Sequence, residues 1–184
     1  MEPIDFDDDR KDIMRVFLQE AHQHIPEDAG PNPEFSEAIG LVKSAVAFEA
    51  LLNEMSIPDN PNPNDWHKRE AFCARYQRLF NENAEAFAPY VAALSEELSE
   101  CPLLSMDTSR SRQPLQIEHT EDLQEVIEVV YRVRSNLVHG SKALSSFRNK
   151  TLIGNSFRFL CILMEIILQE EHIIAARGNL QTRR

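Results

Sequence analysis

Apolar residues in this chain recur at three- and four-residue intervals and nowhere alternate one by one, and glycine is scarce, five in 184 residues. Such spacing builds helices with one apolar stripe and leaves little from which to assemble a sheet. Prolines supply the punctuation. Ile25 to Pro33 and Ile57 to Asp65 each hold three prolines and read as loops. The segments between the breakers predict helices over Asp5 to about His24, Glu34 to about Met55, and Asn64 or Asp65 to about Asn83. A fourth follows with Pro89 in its first turn and runs to about Ser99, a fifth from Thr120 to near Gly140, and a sixth from about Phe147 to about Ala176. The expectation is an all-α bundle of about six helices, one domain over 1–184, with the fifth and sixth helices central.

Local chemistry agrees with this division. Asp7, Asp8 and Asp9 suit the positive N-terminal end of the first helix, as a cap and not as a metal site. Cys101 to His119 forms a connection of about nineteen residues, a length that in compact domains is either functional or without fixed structure. Trp66, beside a helix start, is expected to pack into the core, and Lys68, Arg69, Arg75 and Arg78 to form a solvated face of the third helix. The run Phe159 to Leu168 is apolar at nine of ten positions, too short to span a bilayer and interrupted by Glu165, which predicts a buried helix with no membrane role. Its nearly all-round apolar character also suits a dimer interface.

A net charge of −11 opposes adhesion of the whole molecule to nucleic acid or anionic membrane. The distribution is uneven. Residues 1–128 carry 10 basic and 27 acidic side chains, whereas residues 129–184 carry 9 and 3. No Asp or Glu lies between Glu128 and Glu165, while Arg132, Arg134, Lys142, Arg148, Lys150 and Arg158 all do. That segment is either a solvated surface or a local phosphate-contact site. Cys73, Cys101 and Cys161 form no Cys-x-x-Cys pair, and Met1 to Asp12 is acidic where a secretory or transit peptide would be basic. Free thiols in a reducing, cytoplasmic setting are expected.

Two charges stand where apolar residues belong. Leu123, Val126, Ile127, Val130, Val133 and Leu137 define one stripe on the fifth helix, and Arg134 falls in its middle. On the second helix Glu49 occupies the centre of the stripe made by Ala38, Leu41, Val42, Ala45 and Leu52. An unpaired buried guanidinium costs on the order of several kcal/mol, so Glu49 and Arg134 are expected to meet across the core.

The stretch Val130-Tyr131-Arg132-Val133-Arg134-Ser135-Asn136-Leu137-Val138-His139-Gly140-Ser141-Lys142 follows. Its Arg-x4-His core, preceded by Tyr-x-x-Arg and followed by Gly and a Lys, resembles the Arg-x(4–6)-His motif of the HEPN superfamily (higher eukaryotes and prokaryotes nucleotide-binding), an all-helical group. Phe48-Glu49-Ala50-Leu51-Leu52-Asn53 is similar to the second-helix segment of its bacterial members.

The resemblance implies a metal-independent endoribonuclease of toxin or defence type, acting as a homodimer whose motifs face one cleft, with an antitoxin or regulatory protein as a further partner. His139 would then be the catalytic acid/base and Arg134 the phosphate-binding group. Arg132, Ser135, Asn136, Lys142 and Arg148 would contact RNA, and Glu49 would give structural support. The chemistry is sound on its own terms. Neutral imidazole can take the proton of a ribose 2′-hydroxyl, and guanidinium can hold a phosphate as charge builds. Arg132 remains a second candidate for the arginine, because seven residues place it on the face of His139, whereas Arg134 lies about 140° away on a straight helix. The alternative is a non-catalytic helical module that binds a protein or nucleotide, and a third reading places function in the Cys101 to His119 loop. No cofactor motif or metal-ligand set is present; His22-x-His24 lacks partners at useful spacing.

Overall fold

The computed structural model describes residues 4–25, 33–55, 57, 60, 62–104, 114–138 and 146–174. It contains six α-helices: α1 Asp8–His22, α2 Pro33–Asn53, α3 Asp65–Glu82, α4 Ala84–Glu100, α5 Leu123–Val138 and α6 Phe147–Glu170. Among the described residues the only β-type pairing is an isolated antiparallel bridge between Leu103 and Leu115. The fold is all-α.

The helix starts follow capping chemistry. Asp7 accepts from the Arg10 amide with Asp8 and Asp9 in the first turn, Asn64 accepts from His67, and Ser146 accepts from Asn149. α4 departs from expectation. It begins at Ala84, separated from α3 only by Asn83, so Pro89 lies inside the helix and not in its first turn. The missing N–H there forfeits one bond to the Glu85 carbonyl, on a face exposed to water that can serve the carbonyl instead. α6 also ends earlier than the apolar pattern suggested. His172 turns the chain with a φ of 59°, and the buried Glu171 accepts from Tyr76 Oη at 2.5 Å, from Arg75 Nη2 at 3.0 Å and from the Ile4 amide at 2.8 Å. These bonds hold the end of α6 against α3 and the N-terminal segment.

One buried cluster draws on all six helices. Aromatic rings run through it: Phe48 meets Phe72 at 4.9 Å, Phe80 meets Phe87 at 4.9 Å, and Phe87 meets Phe159 at 5.4 Å between centroids. α6 lies at the centre, packed against α2 and α4 most extensively and against α1, α3 and α5 as well. Its 24 residues are long and apolar enough to cross a membrane by length and composition, so shortness is not what argues against a span. Burial is: 72% of its most apolar window is covered by the other helices. The same packing satisfies within one chain the all-round apolar character that had suited a dimer interface.

Candidate functional site

α5 buries Leu123, Val126, Ile127, Val130 and Val133 as its stripe predicts, and adds Val129 and Asn136. Arg134 Nη2 lies 2.8 Å from Glu49 Oε1, so the two anomalous charges do meet. Their place is the edge of the core and not its middle, since the side chains are 23% and 39% exposed. The apolar arcs of α2 and α5 are wide, and a charge one step from the centre can reach the rim through its long side chain. Arg134 Nε is shielded from solvent and has no hydrogen-bond acceptor among the described residues.

Nearer the start of α5, a second polar contact ties the helix to α3. Arg69 is buried, at 4% exposure, and makes a two-pronged ion pair with Glu128, Nε to Oε1 at 2.7 Å and Nη2 to Oε2 at 3.2 Å. Its guanidinium carbon sits 4.0 Å from the centre of the Tyr131 ring, and the Tyr131 hydroxyl faces Asp65 Oδ2 at 3.4 Å. Burial raises the Tyr131 pKa above its usual value, and the Asp65 carboxylate adds to the rise while Arg69 opposes it. The expectation of a solvated Arg69 is therefore corrected. It shares a stripe with Phe72, Cys73, Tyr76 and Phe80, all buried, and the spacing that exposed Arg134 as an anomaly applied equally to it. Arg75 is likewise partly buried against Glu171.

The other residues chosen from the sequence fall into distinct settings. Asn136 is buried, and its side-chain amide donates to the Leu104 carbonyl at 3.0 Å, which fastens the connection after α4. Ser135 and Arg132 are half-buried on α5. Arg148 donates to the Cys101 carbonyl and lies 3.5 Å from Glu97. His139 and Lys142 lie outside the described residues. Trp66 is 46% exposed, edge-on to His67, and so is not a core residue. It stands in the first turn of α3, beyond the end of the stripe that the core covers.

The basic segment draws carboxylates from elsewhere in the chain. Arg134 finds Glu49 and Arg158 finds Glu37 at 2.6 Å, both on α2, while Arg148 finds Glu97 on α4. Charge segregation along the sequence becomes charge pairing between helices in space. Among the described residues no three His, Cys, Asp or Glu side chains converge as metal ligands, and His24 Nδ1 is spent on Ser36 Oγ at 2.9 Å. Comparison with protein-family models, curated proteins and solved structures finds no match for this chain.

Proposed function

We propose that this protein is a metal-independent endoribonuclease of HEPN type, acting as a homodimer, in which His139 is the acid/base and Arg134 holds the scissile phosphate. The observation that supports this reading is the setting of Arg134. Its guanidinium is held by Glu49 through Nη2 at the rim of the bundle, on a side chain that stays partly open to solvent. An arginine pre-positioned by one carboxylate at a solvent-reached rim suits contact with a phosphodiester at little ordering cost on binding.

On this reading His139 removes the 2′-hydroxyl proton, the 2′-oxygen forms a bond to phosphorus, and the bond from phosphorus to the 5′-oxygen breaks. The leaving oxygen takes its proton from solvent. Arg134 offsets the charge that accumulates on the phosphoryl oxygens. The products would carry 2′,3′-cyclic phosphate and 5′-hydroxyl ends. End-group analysis of RNA incubated with the protein in EDTA tests this: 3′-hydroxyl or linear 3′-phosphate ends formed without a cyclic intermediate would exclude the mechanism.

A second reading, a non-catalytic helical module that binds a protein or nucleotide partner, draws on other observations. Asn136 is committed to a backbone carbonyl, and Arg148 and Arg158 face carboxylates of their own chain. Under that reading the wild-type protein leaves RNA intact.

A further inference from the structure

The apolar residues of α5 set its rotation only loosely. Leu123, Val126, Ile127, Val129, Val130 and Val133 are buried together, spanning roughly half the helix circumference at 100° per residue. Four of them are valines, so a modest turn of the helix about its axis exchanges one valine contact for a similar one. Polar contacts are directional where these are not. Besides the Asn136 bond to the Leu104 carbonyl, α5 makes such contacts to two neighbouring helices. Glu128 and Tyr131 reach α3 through Arg69 and Asp65, and Arg134 reaches α2 through Glu49.

We propose that Tyr131 and Arg69 are positioning residues for Arg134. The inference rests on the reading of Arg134 as the phosphate-binding group. Tyr131 precedes Arg134 by three residues and stands beside it on the helix surface. Its ring is seated on the Arg69 guanidinium at 4.0 Å, and that guanidinium is itself immobilised by the two bonds to Glu128. Ring and guanidinium together lock the azimuth of α5, which aims Arg134 at Glu49. Neither Tyr131 nor Arg69 touches the substrate on this account. The ring is what matters: phenylalanine keeps the face over Arg69 and loses only the long contact to Asp65, whereas leucine loses the cation–π contact.

The test has two arms on the full chain. In the first, the coupling between Glu49 and Arg134 is measured by a double-mutant cycle, Glu49→Gln with Arg134→Met, from urea unfolding in the wild-type, Tyr131→Phe and Tyr131→Leu backgrounds. A coupling of at least about twofold in the unfolding equilibrium constant is expected in the wild-type and Phe backgrounds, and none in the Leu background. Should Tyr131→Leu fail to fold, the paired substitution Arg69→Met with Glu128→Gln removes the cation beneath the ring without leaving an orphan carboxylate, and the same loss is expected. In the second arm, RNA cleavage in EDTA is expected to lose about tenfold or more in kcat with Tyr131→Leu and to be retained by Tyr131→Phe. Undiminished Glu49–Arg134 coupling in the Leu or Met/Gln background overturns the proposal. A wild-type protein that leaves RNA uncut, with the coupling still lost in the Leu background as described, overturns the ribonuclease reading alone and keeps the positioning.

Discussion

Arg134 on α5 and Glu49 on α2 are joined at 2.8 Å at the rim of the bundle, while nearly two turns earlier Glu128 on α5 holds the buried Arg69 of α3 with two bonds. The two pairs differ in solvent access, and their energetic weights should differ with it. Removing one partner of a buried pair strands a charge and costs about 3–5 kcal/mol, whereas an exposed pair contributes about 1 kcal/mol or less. Arg69→Met is therefore expected to lower unfolding free energy severely and Glu49→Gln mildly. Urea denaturation of both variants reads the difference. Equal losses would mean that the seam is uniformly wet or uniformly dry, contrary to the geometry.

Gly40 lies where α2 packs tightly against α6. A methyl group there would stand 2.4 Å from Phe157 Cζ, with two further ring atoms within 2.8 Å. Phe157 is fully buried and cannot swing away. Gly40→Ala should destabilise the protein by about 1–3 kcal/mol, reversing the usual gain of alanine over glycine inside a helix. A neutral or stabilising result in thermal unfolding would contradict this packing.

The three cysteines divide by burial. Cys73 is buried and its thiol is pushed up to about 12, by burial first and then by the carboxylates of Glu128 and Asp122. Cys161 is raised further by burial and by Glu165, while Cys101 is exposed. A thiol-specific reagent at pH 8 should label Cys101 rapidly in the native protein and reach the other two only after unfolding. Mass spectrometry of the labelled peptides decides it, and fast native labelling of Cys73 would be inconsistent with the core as described.

His119 and Glu125 close the start of α5 in a pH-dependent way. Glu125 accepts from the Glu118 and His119 amides and lies 2.9 Å from His119 Nδ1. The bond to Glu125 raises the His119 pKa above 6.5. For Glu125, burial alone would raise the pKa, but the bonds from His119 and Glu118 outweigh it and leave the carboxyl below 4.5. A raised histidine stabilises fully below its unfolded value and loses that contribution as pH rises through the folded one. A depressed carboxyl stabilises above its unfolded value and loses that contribution as pH falls. The pair should therefore add most between about pH 4.5 and 6.5. His119→Gln should flatten the stability–pH curve on the alkaline side of that window, and an unchanged curve would remove the pair from the account.

Much of this arrangement was written in local pattern. The six helices follow from breakers and caps, because Asp7 and Asn64 act on neighbours a few residues away, whereas the fifth starts at Leu123, three residues after the Thr120 that the pattern offers. The Glu49–Arg134 contact was legible as well, since two charges each interrupted an apolar stripe. The same test, applied to α3, would have exposed Arg69, which lies among Phe72, Cys73, Tyr76 and Phe80. What pattern could not supply was the partner of a charge that interrupts no apolar stripe. Nothing local indicates that Arg148 meets Glu97, or that Arg158 meets Glu37, because those pairings depend on how helices distant in sequence cross. Trp66 escaped for a related reason: whether a first-turn residue lies under or beyond the core depends on the length of the neighbouring helix, which periodicity does not report.

RNA cleavage in the presence of EDTA tests the roles of His139 and Arg134 most directly. Purified wild-type protein should cut mixed RNA, and folded His139→Ala and Arg134→Ala variants should lose the activity by about a hundredfold or more. Arg132→Ala, compared beside them, should lose less than Arg134→Ala, as a contact that binds RNA without holding the scissile phosphate. Cleavage that survives His139→Ala, or a folded wild-type protein that leaves RNA intact across varied substrates, would contradict the ribonuclease account and favour the non-catalytic module.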